Sequence, residues 1–157
     1  MNVINLKHNK IYKKGEIIIK LSFKFKPKLS HEQLAIIEDL SFHTTKLYNT
    51  VNYELINNGF KKYTDIEKLF KTNWHCDFLH SHTRQHCFKV IEHNWKAFLS
   101  ASKDYKKNPS KYLGVPRQPG YKNVNDRKNE IIFTNLAVRF KDGQLMLSLS
   151  KAMQSLY

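Results

Sequence analysis

Between residues 75 and 93 the chain carries His75, Cys76, His80, His82, His86, Cys87 and His93. Imidazole nitrogen and thiolate sulfur are the donors that tetrahedral zinc takes. His82 and His86 are four apart, so a helix through them presents both on one face. Completing a set of four would require His75 or Cys76 as well. The spacing matches no common structural zinc site, and helical phase puts Cys87 in an apolar stripe instead. These residues therefore read as core thiols and surface imidazoles, with no metal site. Carboxylates for metal-assisted phosphodiester cleavage are equally hard to assemble. The 13 acids are scattered: Glu38 and Asp39 as exposed helix neighbours, Asp65 and Glu67 in a first helical turn, Asp142 in a tight turn. No nucleophile–base pair stands out, and the five glycines sit singly rather than in a phosphate-cradling loop. No catalytic residue is assigned.

A different chemistry lies just downstream. From Lys103 to Lys128 there are eight Lys or Arg and two acids, Asp104 and Asp126. Within this stretch, residues 108–129 hold three prolines and two glycines, which keep them out of helices and central strands. Tyr105, Tyr112 and Tyr121 are interleaved with the cations. Such a segment suits a phosphate backbone. Lys103, Lys106, Lys107, Lys111, Arg117 and Lys122 are the candidate phosphate contacts. Tyr112 and Tyr121 are candidates for stacking on bases or packing on sugars. A charge run alone is commonly just a solvated face. Here the whole chain supports the stronger reading, with 27 Lys+Arg against 13 Asp+Glu and a net charge of +14.

The 157 residues suffice for one domain or two small lobes, and 41% hydrophobic content fits a folded chain. There is no apolar run of about 18 residues and no lipidation motif, so a membrane partner is not expected. The N-terminus is polar and unlike a secretory signal, which predicts a cytoplasmic protein. Two cysteines make no disulfide framework and are expected as free thiols.

Several elements must position these groups. Residues 1–15 read as a loose polar start. Glu16 to Phe25 alternates Ile19, Leu21, Phe23 and Phe25 with polar partners, as a strand with one buried face does. Ser30 opens a helix with Gln33 placed to close a capping box, and Asn57-Asn58-Gly59 stops it. A short helix is predicted over Thr64–Thr72, capped by Thr64. A third runs from Ser81 or His82 to about Asp104, with Cys87, Phe88, Ile91, Trp95, Phe98 and Leu99 as its apolar stripe. Strand character returns over Glu130–Thr134, Ala137–Phe140 and Gln144–Ser150, with Asp142-Gly143 as a hairpin turn. The expectation is an α+β fold: a small antiparallel sheet from both chain ends, with helices inserted between.

Four places then carry a family resemblance. They are the strand leading into Gln33-Leu34-Ala35-Ile36-Ile37 and Lys46-Leu47-Tyr48-Asn49; Leu79-His80-Ser81 with Gln85 and Trp95-Lys96-Ala97-Phe98; Tyr105 to Gly114 with Pro116, Arg117, Pro119, Tyr121 and Lys122; and Ile132-Phe133-Thr134-Asn135 before a hairpin ending in Ser150-Lys151. In order and spacing they resemble the N-terminal part of the TnpB (OrfB) proteins of bacterial insertion sequences, which look like ancestors of type V CRISPR effectors. The resemblance implies a wedge-like β-barrel, residues 1–29 and 130–157, with a helical recognition lobe, 30–107, inserted and a basic loop at 108–129. It implies guide RNA and target DNA as partners, with sequence read mostly by base pairing. By position, Gln85 matches a glutamine that reads a short motif beside the DNA target. Thr134 matches a second contact position and Tyr63 a third. Where the family often has a basic residue four before that glutamine, this chain has Ser81.

The family's nuclease is a RuvC-like domain with metal-binding carboxylates and a four-cysteine zinc ribbon. This sequence reaches Tyr157 without a Gly-x-Asp-x-Gly strand or a Cys-x-x-Cys pair. The expectation is a chain that is not catalytic alone and holds no cofactor, the divalent metal and zinc belonging to the C-terminal region. The alternatives are half of a split nuclease, completed by a separate RuvC-like polypeptide, and a decayed remnant.

Overall fold

The computed structural model describes the backbone of residues 4–8 and 21–25 and all of residues 26–157. Of the strand expected over Glu16–Phe25, residues 16–20 lie outside the described residues and the rest is a strand. Within the expected polar start, Ile4–His8 forms a strand, β1, which pairs antiparallel with β2, Leu21–Phe25.

Helix α1 spans His31–Asn58. Its start is the predicted capping box: the Ser30 hydroxyl accepts from the Gln33 amide at 3.2 Å, and Gln33 Oε1 accepts from the Ser30 amide at 3.0 Å. Gly59, at φ 82°, ends it in a conformation that side chains with a Cβ avoid. Helix α2 is Tyr63–Phe70, not Thr64–Thr72, and its cap position is Lys62, which makes no side-chain cap. The reason is tertiary. The Glu92 carboxylate accepts the Tyr63 amide at 3.2 Å, so Thr64 is not needed as a cap. A four-residue helix, α3, Trp74–Asp77, follows, capped by the Asn73 side chain. Helix α4 runs Ser81–Lys107, with Asn108 as its C-cap.

Helices α1 and α4 supply most of the core. Leu40, Leu47, Tyr48, Val51 and Leu55 meet Cys87, Phe88, Ile91 and Trp95, with Ile66, Cys76 and Leu79 closing one side. Burying each large apolar side chain stabilises the fold by about 1.5–3 kcal/mol. The stripe predicted for α4 is borne out at Cys87, Phe88, Ile91 and Trp95, while Leu99 is exposed.

The C-terminal part corrects two expectations and meets a third. Glu130–Thr134 is not a strand; it is irregular chain whose Ile131 and Phe133 pack against the core. Strands β3, Val138–Lys141, and β4, Gln144–Leu147, form the predicted hairpin, with Asp142 at φ 51° and Gly143 at φ 75°. Positive φ at both central residues matches the twist of a two-residue hairpin. The last strand stops at Leu147, because Ser150 caps a short helix, α5, Lys151–Gln154, whose Met153 is fully buried.

The fold is α+β, but it holds no barrel among the described residues. Among the described residues, strand β1 pairs only with β2 and β3 only with β4, and the two pairs form separate sheets. A barrel requires every strand to be paired on both edges. The stretch that would have joined the hairpins, 130–134, instead lies on the helices. No helix among the described residues is long and apolar enough to cross a membrane.

Candidate nucleic-acid interface

The basic segment is tethered at both ends. At its start, Asp104 accepts from Lys111 Nζ at 2.8 Å, from the Tyr112 hydroxyl at 2.7 Å and from Asn108 Nδ2 at 2.9 Å. These donors hold the Asp104 carboxyl well below the usual carboxylate range, and Asp104 in turn raises Lys111 and Tyr112. A 3₁₀ turn at Pro109–Lys111 folds the chain back, and Tyr105 meets Tyr112 edge-on.

Beyond this turn the segment runs back along α1. Asn52 Nδ2 donates to the Pro119 carbonyl at 2.8 Å. Asn49 grips the Lys122 backbone twice, donating to its carbonyl at 2.9 Å and accepting its amide at 2.8 Å. Arg127 pairs with Asp39 at 2.8 Å, and the Ser41 hydroxyl donates to the Asn129 carbonyl at 3.1 Å. A loop of Pro, Gly and Asn cannot satisfy its own backbone groups as a helix does, so α1 side chains satisfy part of it. Asp39 is therefore not the idle exposed acid that the sequence suggests. It takes Arg127 and the Tyr157 hydroxyl together.

The candidate phosphate contacts separate into two groups. Lys103, Lys106, Lys107 and Arg117 are exposed and make no ion pair among the described residues. Lys111 is occupied by Asp104, and Lys122 is half-buried with its ammonium 4.6 Å above the Tyr48 ring. Of the two candidate stacking tyrosines, Tyr121 is 57% exposed, while Tyr112 is half-buried and bonded to Asp104.

Two of the three candidate DNA-motif residues come together. Gln85 Nε2 lies 3.4 Å from Glu67 Oε1. The phenol of Tyr63, one helical turn before Glu67, is pushed up to about 12, first by burial and then by the nearby Glu67 carboxylate. Arg84 stands beside them with its Nε buried and unpartnered among the described residues. Thr134 lies elsewhere, ahead of the 3₁₀ turn Asn135–Ala137, and its buried hydroxyl has no partner among the described residues.

The histidines and cysteines disperse. Cys76 and Cys87 are buried, and burial pushes their thiols up to about 11 and about 12. His80 stacks on His82. His75 Nδ1 meets His43 Nδ1 at 3.0 Å, a partner that sequence reading did not single out. No three potential metal-ligating side chains converge among the described residues. His43 and Asn52 were readable in principle, since each is a polar residue in the helical phase of the α1 apolar stripe. Trp74 and Phe78 carried no such signal, because α3 is too short to show a period.

Comparison with family models, with curated proteins and with solved structures finds no match for this chain.

Proposed function

We propose that this chain is a nucleic-acid-binding module, the recognition half of a TnpB-like RNA-guided system. In this reading it holds a structured guide RNA and contacts target DNA beside a short motif, and it does not cut DNA by itself. One observation carries the reading: a Pro/Gly segment pinned to α1 by Asn49, Asn52, Ser41 and Asp39, next to four cations with no ion pair among the described residues. Pinning removes loop entropy before a ligand arrives, so less is lost on binding. Cations that are exposed and unpaired can release phosphate counterions without first breaking an ion pair. The +14 net charge supplies long-range attraction to any polyanion.

The test is a salt titration with a labelled RNA hairpin carrying single-stranded flanks. Replacing Lys103, Lys106, Lys107 and Arg117 by Ala should weaken binding. It should also flatten the plot of log affinity against log salt by about 0.7–0.9 for each phosphate contact removed. A slope equal to wild type would take these cations out of the interface.

A further inference from the structure

Beside the Asp39–Arg127 pair, α1 and α3 bring together a second group of rings. Trp74, first residue of α3, is 59% exposed. Its indole nevertheless meets His43 at 5.2 Å, His75 at 4.8 Å and Phe78 at 5.1 Å between ring centres. Beneath it His43 stacks flat on Phe78, 4.2 Å apart and 13° from parallel. The His43–His75 contact ties α1 to α3 at 3.0 Å, and Phe42 closes on both imidazoles edge-on. A large aromatic held on a rigid nest, yet mostly open, loses little freedom when a ligand covers it.

Charge narrows the choice of ligand. Lys46 Nζ lies 5.6 Å from the Phe42 ring centre and has no carboxylate partner among the described residues. Arg127 lies over that same ring at 4.6 Å, but it is paired with Asp39. Asp77, exposed on α3, is an opposing charge nearby. A flat π surface with a free ammonium at its border fits a nucleotide: base on ring, phosphate on cation. Bases inside a duplex are already stacked, so the ligand must be unpaired.

We propose that Trp74 and the His43–His75–Phe78 nest form a stacking site for an unpaired nucleobase, with Lys46 taking its phosphate. The site rests on the nucleic-acid reading above but uses none of the basic-segment residues. It assigns the chain a preference for single-stranded over fully paired nucleic acid at this face.

The experiment uses the full chain, a labelled 12-nucleotide oligo(U), a blunt RNA duplex and anionic lipid vesicles. Tryptophan emission reports the site directly, because the other tryptophan, Trp95, is 3% exposed and shielded. Oligo(U) should quench the emission, and the duplex should not. Trp74→Ala should bind oligo(U) about 5- to 150-fold more weakly, the range that one base–aromatic stack spans. Duplex binding should be unchanged, and Trp74→Phe should retain most of the oligo(U) affinity. The Phe variant keeps the question decidable if the Ala variant fails to fold. Wild-type affinity for oligo(U) in Trp74→Ala, with binding weakened by the basic-segment substitutions, overturns this site and leaves the nucleic-acid reading standing. Emission that responds to vesicles and not to oligo(U) also overturns it. No binding of either nucleic acid by wild type overturns both readings.

Discussion

Trp95 donates its indole N–H to the Asn52 carboxamide oxygen at 2.8 Å, deep between α1 and α4. An indole nitrogen only donates, so this bond fixes which end of Asn52 is oxygen. The amide end then points the other way and donates to the Pro119 carbonyl, with Gly120 at 3.4 Å. Asn52 is 0% exposed, and through it one side chain joins the core to the segment that carries the candidate phosphate contacts. Packing in the helical core thereby bears on where the basic residues lie.

Replacing Asn52 by Leu keeps the volume and removes both bonds. The Trp95 N–H is then buried without a partner, which costs about 1–3 kcal/mol. The expected outcome is a lower denaturant midpoint and faster tryptic cleavage after Arg117 and Lys122. Asn57→Leu, at an exposed position of the same helix, serves as the control. Equal cleavage rates in the two variants would mean that Asn52 does not hold the segment.

The two thiols should be inert in the folded protein. Cys87 donates to the Thr44 carbonyl and Cys76 to the Phe70 carbonyl, and burial keeps both protonated at pH 8. Only a thiolate reacts quickly with a disulfide reagent. A colorimetric thiol assay should find no fast-reacting group in the native chain and two after unfolding. One fast thiol at pH 8 would show that its helix opens locally.

How much of this was legible in the sequence depended on how local the cause was. The α1 capping box and the Asp142-Gly143 turn are set by residues within four positions of each other, and both appeared as expected. The α2 start was misplaced because its acceptor, Glu92, comes from 29 residues away. The barrel failed for a similar reason. Glu130–Thr134 has the composition of a strand, but a strand needs a neighbouring edge, and Ile131 and Phe133 pack against the helical core instead. In the candidate interface, the cations were readable as a run, whereas their division was not. Lys111 looks like Lys107 in sequence, and only the fold shows that Asp104 holds one and not the other.

The His43–His75 contact predicts a pH dependence of stability. It needs one ring with a proton on Nδ1 and the other bare there. Burial first, then the charge of His75, lowers His43 from 6.5 to about 4, and burial also lowers His75. Between those values the unfolded chain binds the proton and the folded chain does not. Stability is therefore fully present above about pH 6.5 and falls as pH drops toward 4, by up to about 1.4 kcal/mol per pH unit for one such group. Denaturant curves at pH 7.5, 6.5, 5.5 and 4.5 should show the decline. In His43→Phe it should be shallower, because Phe can still stack on Phe78 and takes up no proton. A constant gap between the two proteins across that range would remove His43 as the cause.

Glu67 decides what Gln85 and Tyr63 can reach. Its carboxylate accepts from Gln85 on α4 and stands near the Tyr63 phenol one turn earlier on α2, so Gln85 is turned toward α2. A base edge that takes Gln85 must break the Glu67 contact and approach a negative charge. Glu67→Gln removes that charge and keeps the shape. If Gln85 reads DNA, Glu67→Gln should bind duplex DNA more tightly, by about two- to fivefold for the loss of one partly solvated charge near a phosphate chain. Selection from a randomised duplex pool should then return the same preferred motif for Glu67→Gln as for wild type, and a different or weaker one for Gln85→Ala. Thr134→Val, which removes the unpartnered hydroxyl and keeps the volume, tests the second position in the same pool. Identical motifs from wild type, Gln85→Ala and Thr134→Val would mean that neither side chain touches a base, and would leave Glu67 as a purely structural tie between α2 and α4.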